Sequence, residues 1–389
     1  MEQKKRIYAD NAATTPVSEH VLAAMQPFFT EQYANPSALY LSARKAGRAL
    51  ADARKKAADA LGCSHSELFF TSGGTEGDNW AVKETALAYL EKHGKPGHIV
   101  STSIEHHAVL HAIRAMERLG FQTTYVDPGK DGIVRAEDME NAVRDDTCLA
   151  CMMLANNEIG TVQPVGETAR RMRERNIPVL CDAVQAFGQI PVDLSLLGAD
   201  FVTVSGHKLH APKGIGLLYI REGTALPSLL DGGGQESGMR SGTENTAFAV
   251  GLAEALSDAV KLSGIEEMKK RRDRLFDRLL MIPGSVGNGT REEGKRLPGN
   301  INVSFPGLDS ESLVLLLDMN GVCASGGSAC NSRATLPSHV LKAIGKSDAE
   351  ALSSLRLTLS AETSEEETDM IGTAVEEVVR KMRVLNGEG

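Results

Sequence analysis

Lys208 ends the run VSGHK (Val204–Lys208), and its amine could do covalent chemistry. A lone lysine is most simply a solvated surface charge. At the crevice end of a buried strand it is desolvated, which lowers its pKa and frees the amine for a Schiff base. His207 and Ser205, just upstream, are both able to hold a phosphate. Asp182 closes a second apolar run, VLCD (Val179–Asp182), and Gln185 follows shortly after. A carboxylate there is costly unless paired or hydrogen-bonded. It either caps the next helix or faces a cation such as a protonated ring nitrogen. At about 4 Å and an effective dielectric of about 20, that attraction is on the order of 4 kcal/mol before desolvation. A third run ends in Gly73, Gly74, Thr75 and Glu76, where a helix opens. Free N–H groups and the helix dipole suit a phosphate there, and an ordinary strand-to-helix turn would look the same.

His106 follows another strand end, between Glu105 and His107. An aromatic acid/base beside a cofactor is the better reading for it. His107 and His111 are four apart, a spacing metals use. Neither Glu105 nor a cysteine offers matching ligands, so zinc is rejected and both read as a partly exposed helix face. The chain has six cysteines. Cys148 and Cys151 resemble a redox pair, but such pairs work at helix N-termini. Here they lie in a strand, where residues i and i+3 point to opposite faces. Both read as buried core, as does Cys181, and Cys323 reads as structural. Cys330 differs: it sits in ASGGSACNS (324–332), small residues without an apolar anchor. That is an exposed loop, and its thiol is either idle or, with help from a site against a free pKa of about 8.5, a nucleophile.

The elements that must position these groups are legible. Runs at 68–72, 98–103, 122–127, 147–154, 177–183, 200–206 and 214–220 predict seven strands, most of them continuously apolar and so buried on both faces. Helical patterns between them, at 75–93 and 105–119, predict a doubly wound, mostly parallel α/β domain. Too few residues separate Gly206 from Gly214 for a parallel crossover, so the last strand is expected antiparallel. One helix is expected from Thr246 into the charged stretch after it. Short strands at 300–305, 322–325 and 355–360 predict a smaller α+β domain. With 389 residues the chain exceeds a single core. The expected division is 15–260 for the large domain, and 1–14 with 261–389 for the small one. A net charge of −9 argues against nucleic acid as a partner. No apolar run reaches membrane-span length, and no signal-peptide pattern opens the chain. A cytoplasmic protein is expected, in keeping with scattered cysteines.

Ordered motifs then carry a resemblance over nearly the whole chain. They are DNAATTPV (10–17), NPS (35–37), FTSGGTE (70–76), EHHAVL (105–110), NNEIGTVQP (156–164), DAVQAFG (182–188), SGHK (205–208), PKGIG (212–216), GGGQESGMRSGTEN (232–245) and SGGSAC (325–330). The chain resembles the NifS/IscS-type cysteine desulfurases, pyridoxal 5'-phosphate (PLP) enzymes of fold type I in the aminotransferase class V superfamily. The resemblance implies that Lys208 carries PLP covalently and that Asp182 pairs with its ring nitrogen. It implies that Gln185 contacts the ring hydroxyl and that His106 stacks on the ring as an acid/base. Gly74, Thr75, Ser205 and His207 would hold the phosphate, with Thr243 reaching across from a second subunit of a homodimer. Arg356 would take the carboxylate of L-cysteine, with Asn157 and Asn35 beside it. Cys330 would accept the sulfur as a persulfide, leaving L-alanine. A sulfur-acceptor protein, an iron–sulfur scaffold or thiolation factor, would then receive it. A selenocysteine lyase, another class V enzyme, or a PLP-bound scaffold without turnover are the alternatives. Tyr40, Gly77, Asn331 and Leu336 depart from the usual family residues, and none of these positions is catalytic.

Overall fold

A computed structural model describes residues 6–326 and 336–387. Its strands are β1 (Ile7–Tyr8), β2 (Leu68–Thr71), β3 (His98–Thr102), β4 (Gln122–Val126), β5 (Thr147–Cys151), β6 (Val179–Asp182), β7 (Phe201–Ser205), β8 (Gly216–Ile220), β9 (Val286–Gly287), β10 (Asn300–Ser304), β11 (Val322–Cys323), β12 (Ser325–Gly326) and β13 (Ser354–Thr358). Seven form one sheet in the order β2-β8-β7-β6-β5-β3-β4. β8 runs antiparallel to both neighbours, and the other pairs are parallel. The expected mixed α/β fold with a mostly parallel seven-stranded sheet is therefore present.

Apolar side chains cover both faces of that sheet. One core includes Val100, Ala150, Cys181, Val204 and Leu217, and the other Ile99, Leu149, Leu180, Phe201 and Leu218. Alternate residues of one strand thus enter opposite cores, as strand geometry demands. The chain order matters for function. β4 lies on one side of β3 and β5 on the other, so the loops leaving β3 and β5 diverge. Such a switch point opens a crevice beyond the carboxyl ends of the strands.

Two local expectations are corrected. Cys148 and Cys151 do not face opposite ways. His98 pairs with Thr147 but Ile99 with Leu149, so Cys148 is an extra residue at a β-bulge. The bulge breaks the alternation, and both cysteines pack into the same core. They are buried, with burial pushing the Cys148 thiol up to about 12. The single helix after Thr246 is two helices, Thr246–Ala259 and Ile265–Leu280. Leu262 and Gly264, at φ 50° and 74°, turn the chain between them; left-handed residues end helices.

A four-stranded sheet, β12-β13-β10-β9, has its own core around Phe276, Ile301, Phe305, Leu355 and Val375. β1 pairs in parallel with β11 beside it. From there residues 9–15 run toward the large sheet. Ala9 N–H donates to Cys323 O at 2.9 Å, Thr358 N–H to Ala9 O at 2.7 Å, and Thr15 N–H to His207 O at 2.9 Å. This N-terminal segment stitches the two sheets together at their shared crevice.

Candidate active site

Lys208 sits in a single 3-10 turn, Gly206–Lys208, directly after β7. Its Nζ donates to Ala12 O at 2.5 Å and to Ala13 O at 2.7 Å. Gln185 Nε2 donates to the same Ala12 carbonyl at 3.0 Å. Asp182 ends the neighbouring strand β6, fully buried, and its Oδ1 accepts from Val184 N–H at 2.9 Å. Burial pushes its carboxyl up to about 6; the Val184 N–H and the Lys208 charge pull the other way. Two more buried carboxylates lie nearby, and the Asp182 charge raises both. Asp78, lifted first by burial, accepts from Thr203 Oγ1 at 2.8 Å. Glu105, at about 8 by burial, accepts from Thr102 Oγ1 at 2.6 Å and Met153 N–H at 2.7 Å. Its Oε2 is buried without a partner. Of the three, Asp182 is the carboxyl that ionises below neutral pH, so it is the one that can face a cation.

His106 leaves β3 and caps the helix His107–Glu117: its Nδ1 accepts from Ala108 N–H at 3.2 Å. A neutral imidazole that accepts at Nδ1 carries its proton on Nε2. Burial, then the Lys208 charge, then His111, hold its pKa at about 4. His106 is therefore neutral at pH 7. His107 is half-buried and His111 exposed, the partly exposed helix face expected from the sequence. The His107 ring lies 5.1 Å from His111 and 4.8 Å from His339, and His339 Nε2 meets Glu105 O at 3.0 Å. Among the described residues no group of three or more His, Cys, Asp or Glu is disposed to hold a metal ion.

The glycine turn faces the same crevice. Gly73 (φ 154°) precedes the 20-residue helix Gly74–His93. A Cβ on Gly74 would lie 2.6 Å from Val184 Cγ2, and one on Gly73 3.7 Å from Ser205 Oγ. Only glycine leaves this helix start open against the ends of β6 and β7. Thr75 is exposed in the first turn. His207 Nδ1 meets Thr14 Oγ1 at 3.2 Å, and burial, reinforced by Lys208, holds its pKa at about 4. Amine, buried carboxylate, neutral imidazole and an open helix N-terminus with Ser205 beside it are the donor set that an aldehyde, a pyridinium and a phosphate require. The residues fit PLP.

Arg356, on β13, is 1 % exposed. Nη1 donates to Asn157 O at 3.2 Å and Nη2 to Asp10 Oδ1 at 2.7 Å, while Nε is buried without a partner. The structure thus joins Arg356 with Asn157, and Lys208 with Gln185. Asn35 is exposed, with its Oδ1 accepting from Ser37 N–H at 2.9 Å. Thr243, also exposed, lines a cavity of about 220 Å³ with Ser72 and Arg240, whereas Lys208 and Gln185 line another of about 280 Å³. No described contact joins Asn35 or Thr243 to Lys208 within one chain. Cys330 lies outside the described residues. Sequence reasoning missed Asp10, Ala12, Ala13 and Glu105; the motif DNAATTPV marked the first three without giving them a task.

Residues 7–371 match the model of the aminotransferase class-V family. The chain belongs to this family. A cysteine desulfurase IscS of Methanosarcina thermophila is 46% identical over 99% of the chain and 94% of its own length. One from Clostridium botulinum is 42% identical over 98% and 96%. Among solved structures, a NifS-like protein superposes with a TM-score of 0.90 at 38% identity, covering 97% of this chain and all of its own (100%). SspA in complex with cysteine gives 0.80 at 36% identity, covering 90% and 98%. Class-V aminotransferase-type enzymes depend on PLP, the group the site fits.

Proposed function

We propose that the chain is a PLP-dependent cysteine desulfurase, converting L-cysteine to L-alanine and passing the sulfur to Cys330 as a persulfide. The observation that carries this reading is the convergence of Lys208, buried Asp182 and neutral His106 at the carboxyl ends of the sheet's interior strands. Full-length relatives of that activity support it. PLP, when bound, supplies an electron sink conjugated with the substrate's α-carbon. Lys208 would hold it covalently, and its amine, when free, would take the substrate's α-proton. Asp182 would keep the ring nitrogen protonated, and Gln185 would hold the ring hydroxyl. Gly74, Thr75, Ser205 and His207 bind the phosphate. His106, with its proton on Nε2, moves protons beside the ring. Arg356 takes the α-carboxylate in a bidentate grip, with Asn157 and Asn35 beside it. The Cys330 thiolate attacks the substrate sulfur. An S–S bond forms, the Cβ–S bond breaks with its electron pair left on the carbon side, and protonation there gives alanine.

The working unit in this reading is a homodimer. Leu39, Tyr40 and Leu41 are 87, 59 and 72 % exposed, an apolar surface of the kind that interfaces cover. Thr243 would reach the phosphate of a second copy. An acceptor protein, an iron–sulfur scaffold or a thiolation factor, takes the persulfide sulfur. No described helix is long and apolar enough to cross a membrane. The free, largely buried cysteines fit a reducing cytoplasm. The test is Cys330→Ala with thiol reductant. Sulfide release from cysteine is lost while the PLP colour remains, and labelled sulfur is found on the Cys330 peptide of the wild type by mass spectrometry. Persistent sulfide release by the variant would show a lyase that does not need the thiol.

A further inference from the structure

The guanidinium of Arg356 carries five N–H donors on three nitrogens, and two of those nitrogens are already anchored. Nη1 donates to Asn157 O at 3.2 Å, Nη2 donates to Asp10 Oδ1 at 2.7 Å, and Nε is buried with no partner. Asp10 is held just as firmly. Its Oδ2 accepts from Ser325 Oγ at 2.9 Å. Ser325 is the register partner of Arg356 across β12 and β13. The backbone at Asp10 bridges Thr358, two residues beyond Arg356. Ala12 N–H donates to Thr358 Oγ1 at 2.9 Å, and Ala12 O accepts the amine of Lys208. Asp10, Ser325 and Arg356 therefore close a ring of bonds that begins on the segment supporting Lys208.

A guanidinium is a rigid planar fork. One anchor lets it turn about that contact, and two fix its plane. With Asn157 O and Asp10 both bound, the edge formed by Nε–H and the second N–H of the adjacent Nη is left for a carboxylate, and leaving the buried Nε unmet is costly. The geometry points to Asp10 as a positioning residue that aims the Nε edge of Arg356 at the substrate's α-carboxylate and so selects amino acids over amines. This rests on the reading of Arg356 given above. A carboxylate that merely competed for Arg356 would act in the opposite sense, because its removal would free the fork and tighten binding.

The test uses the full-length, PLP-loaded chain. The ligands are L-alanine, which carries the carboxylate, and cysteamine, which lacks it. Binding is read from the ligand-induced change in cofactor absorbance. D10N keeps the shape and loses the charge. It weakens L-alanine binding and raises KM for cysteine by about tenfold, the loss expected for a charge-assisted hydrogen bond, leaving kcat and cysteamine binding within about twofold. Ser325→Ala removes one anchor of Asp10 without touching a charge. It shifts L-alanine in the same direction by roughly two- to tenfold, which keeps the test open should D10N fold poorly. Unchanged or tighter L-alanine binding in both variants overturns the proposal, as does equal weakening of both ligands. R356K is measured alongside: if it preserves the preference for L-alanine, it is the Arg356 reading that fails.

Discussion

Gly74→Ala is the sharpest probe of the proposed phosphate cradle, because the added atom has a known neighbour. Its Cβ would stand 2.6 Å from Val184 Cγ2 and 3.7 Å from Ser205 Cβ. Carbon atoms rest about 3.5–4.0 Å apart, so the overlap with Val184 is on the order of 1 Å. Val184 is β-branched and stiff at χ1, and its N–H is the one bound to Asp182 Oδ1 at 2.9 Å. Relief of the clash therefore displaces either the helix start or the residue that orients Asp182. Overpacking of this kind costs about 1–3 kcal/mol, which corresponds to roughly 5- to 150-fold in PLP affinity. The gain in helix propensity from Gly to Ala, about 1 kcal/mol, works in the opposite direction. PLP titration of the apo-protein, followed by absorbance, measures the effect. The double variant G74A/V184A deletes the methyl group that is struck and restores affinity to within about threefold. Wild-type affinity in the single variant, or no recovery in the double, refutes the reasoning.

Lys208→Ala loses the absorbance of covalently bound PLP; a spectrum identical to wild type would remove Lys208 as the anchor. His106→Phe keeps an aromatic ring against the cofactor but no proton to move. PLP stays bound and kcat falls about 100-fold or more, and a smaller loss in steady-state turnover would assign His106 to stacking alone. Glu105 keeps its proton in the folded chain up to about pH 8 but only to about 4.5 when unfolded. The folded state then holds the extra proton between those values, so stability is full below the lower one and is lost as pH rises through the window. Glu105→Gln keeps the oxygen that accepts from Thr102 and Met153 and cannot ionise. Its melting temperature relative to wild type rises between pH 5 and 8, and a constant offset would contradict a protonated Glu105.

What could be read from residues alone was local. Lys208, Asp182 and Gly73 each follow an apolar run, so their place at strand ends followed from the α/β pattern; that the strands lie close together did not. Neutrality of His106 did not follow, since it comes from burial and from Lys208, which lies far along the chain. The bulge at Cys148 was invisible because it exists only in the pairing of β5 with β3. The helix break at Leu262 required a left-handed leucine, which no propensity argument selects. Asp10 stayed silent because its partners, Ser325 and Arg356, are 315 and 346 residues away. A carboxylate in a motif shows that something is held there, and only the fold shows what.

The reach of the N-terminal segment has a consequence for biosynthesis. Synthesis proceeds at about 5–20 residues per second, so Asp10 waits roughly 20–70 s after its own translation for Arg356 to be made. In that interval the nascent chain acquires Lys208, Asp182 and His106 without the guanidinium. If the proposed roles of these residues hold, the cofactor-holding groups are synthesised before the guanidinium that would choose among amines, which comes with the last strand of the small sheet.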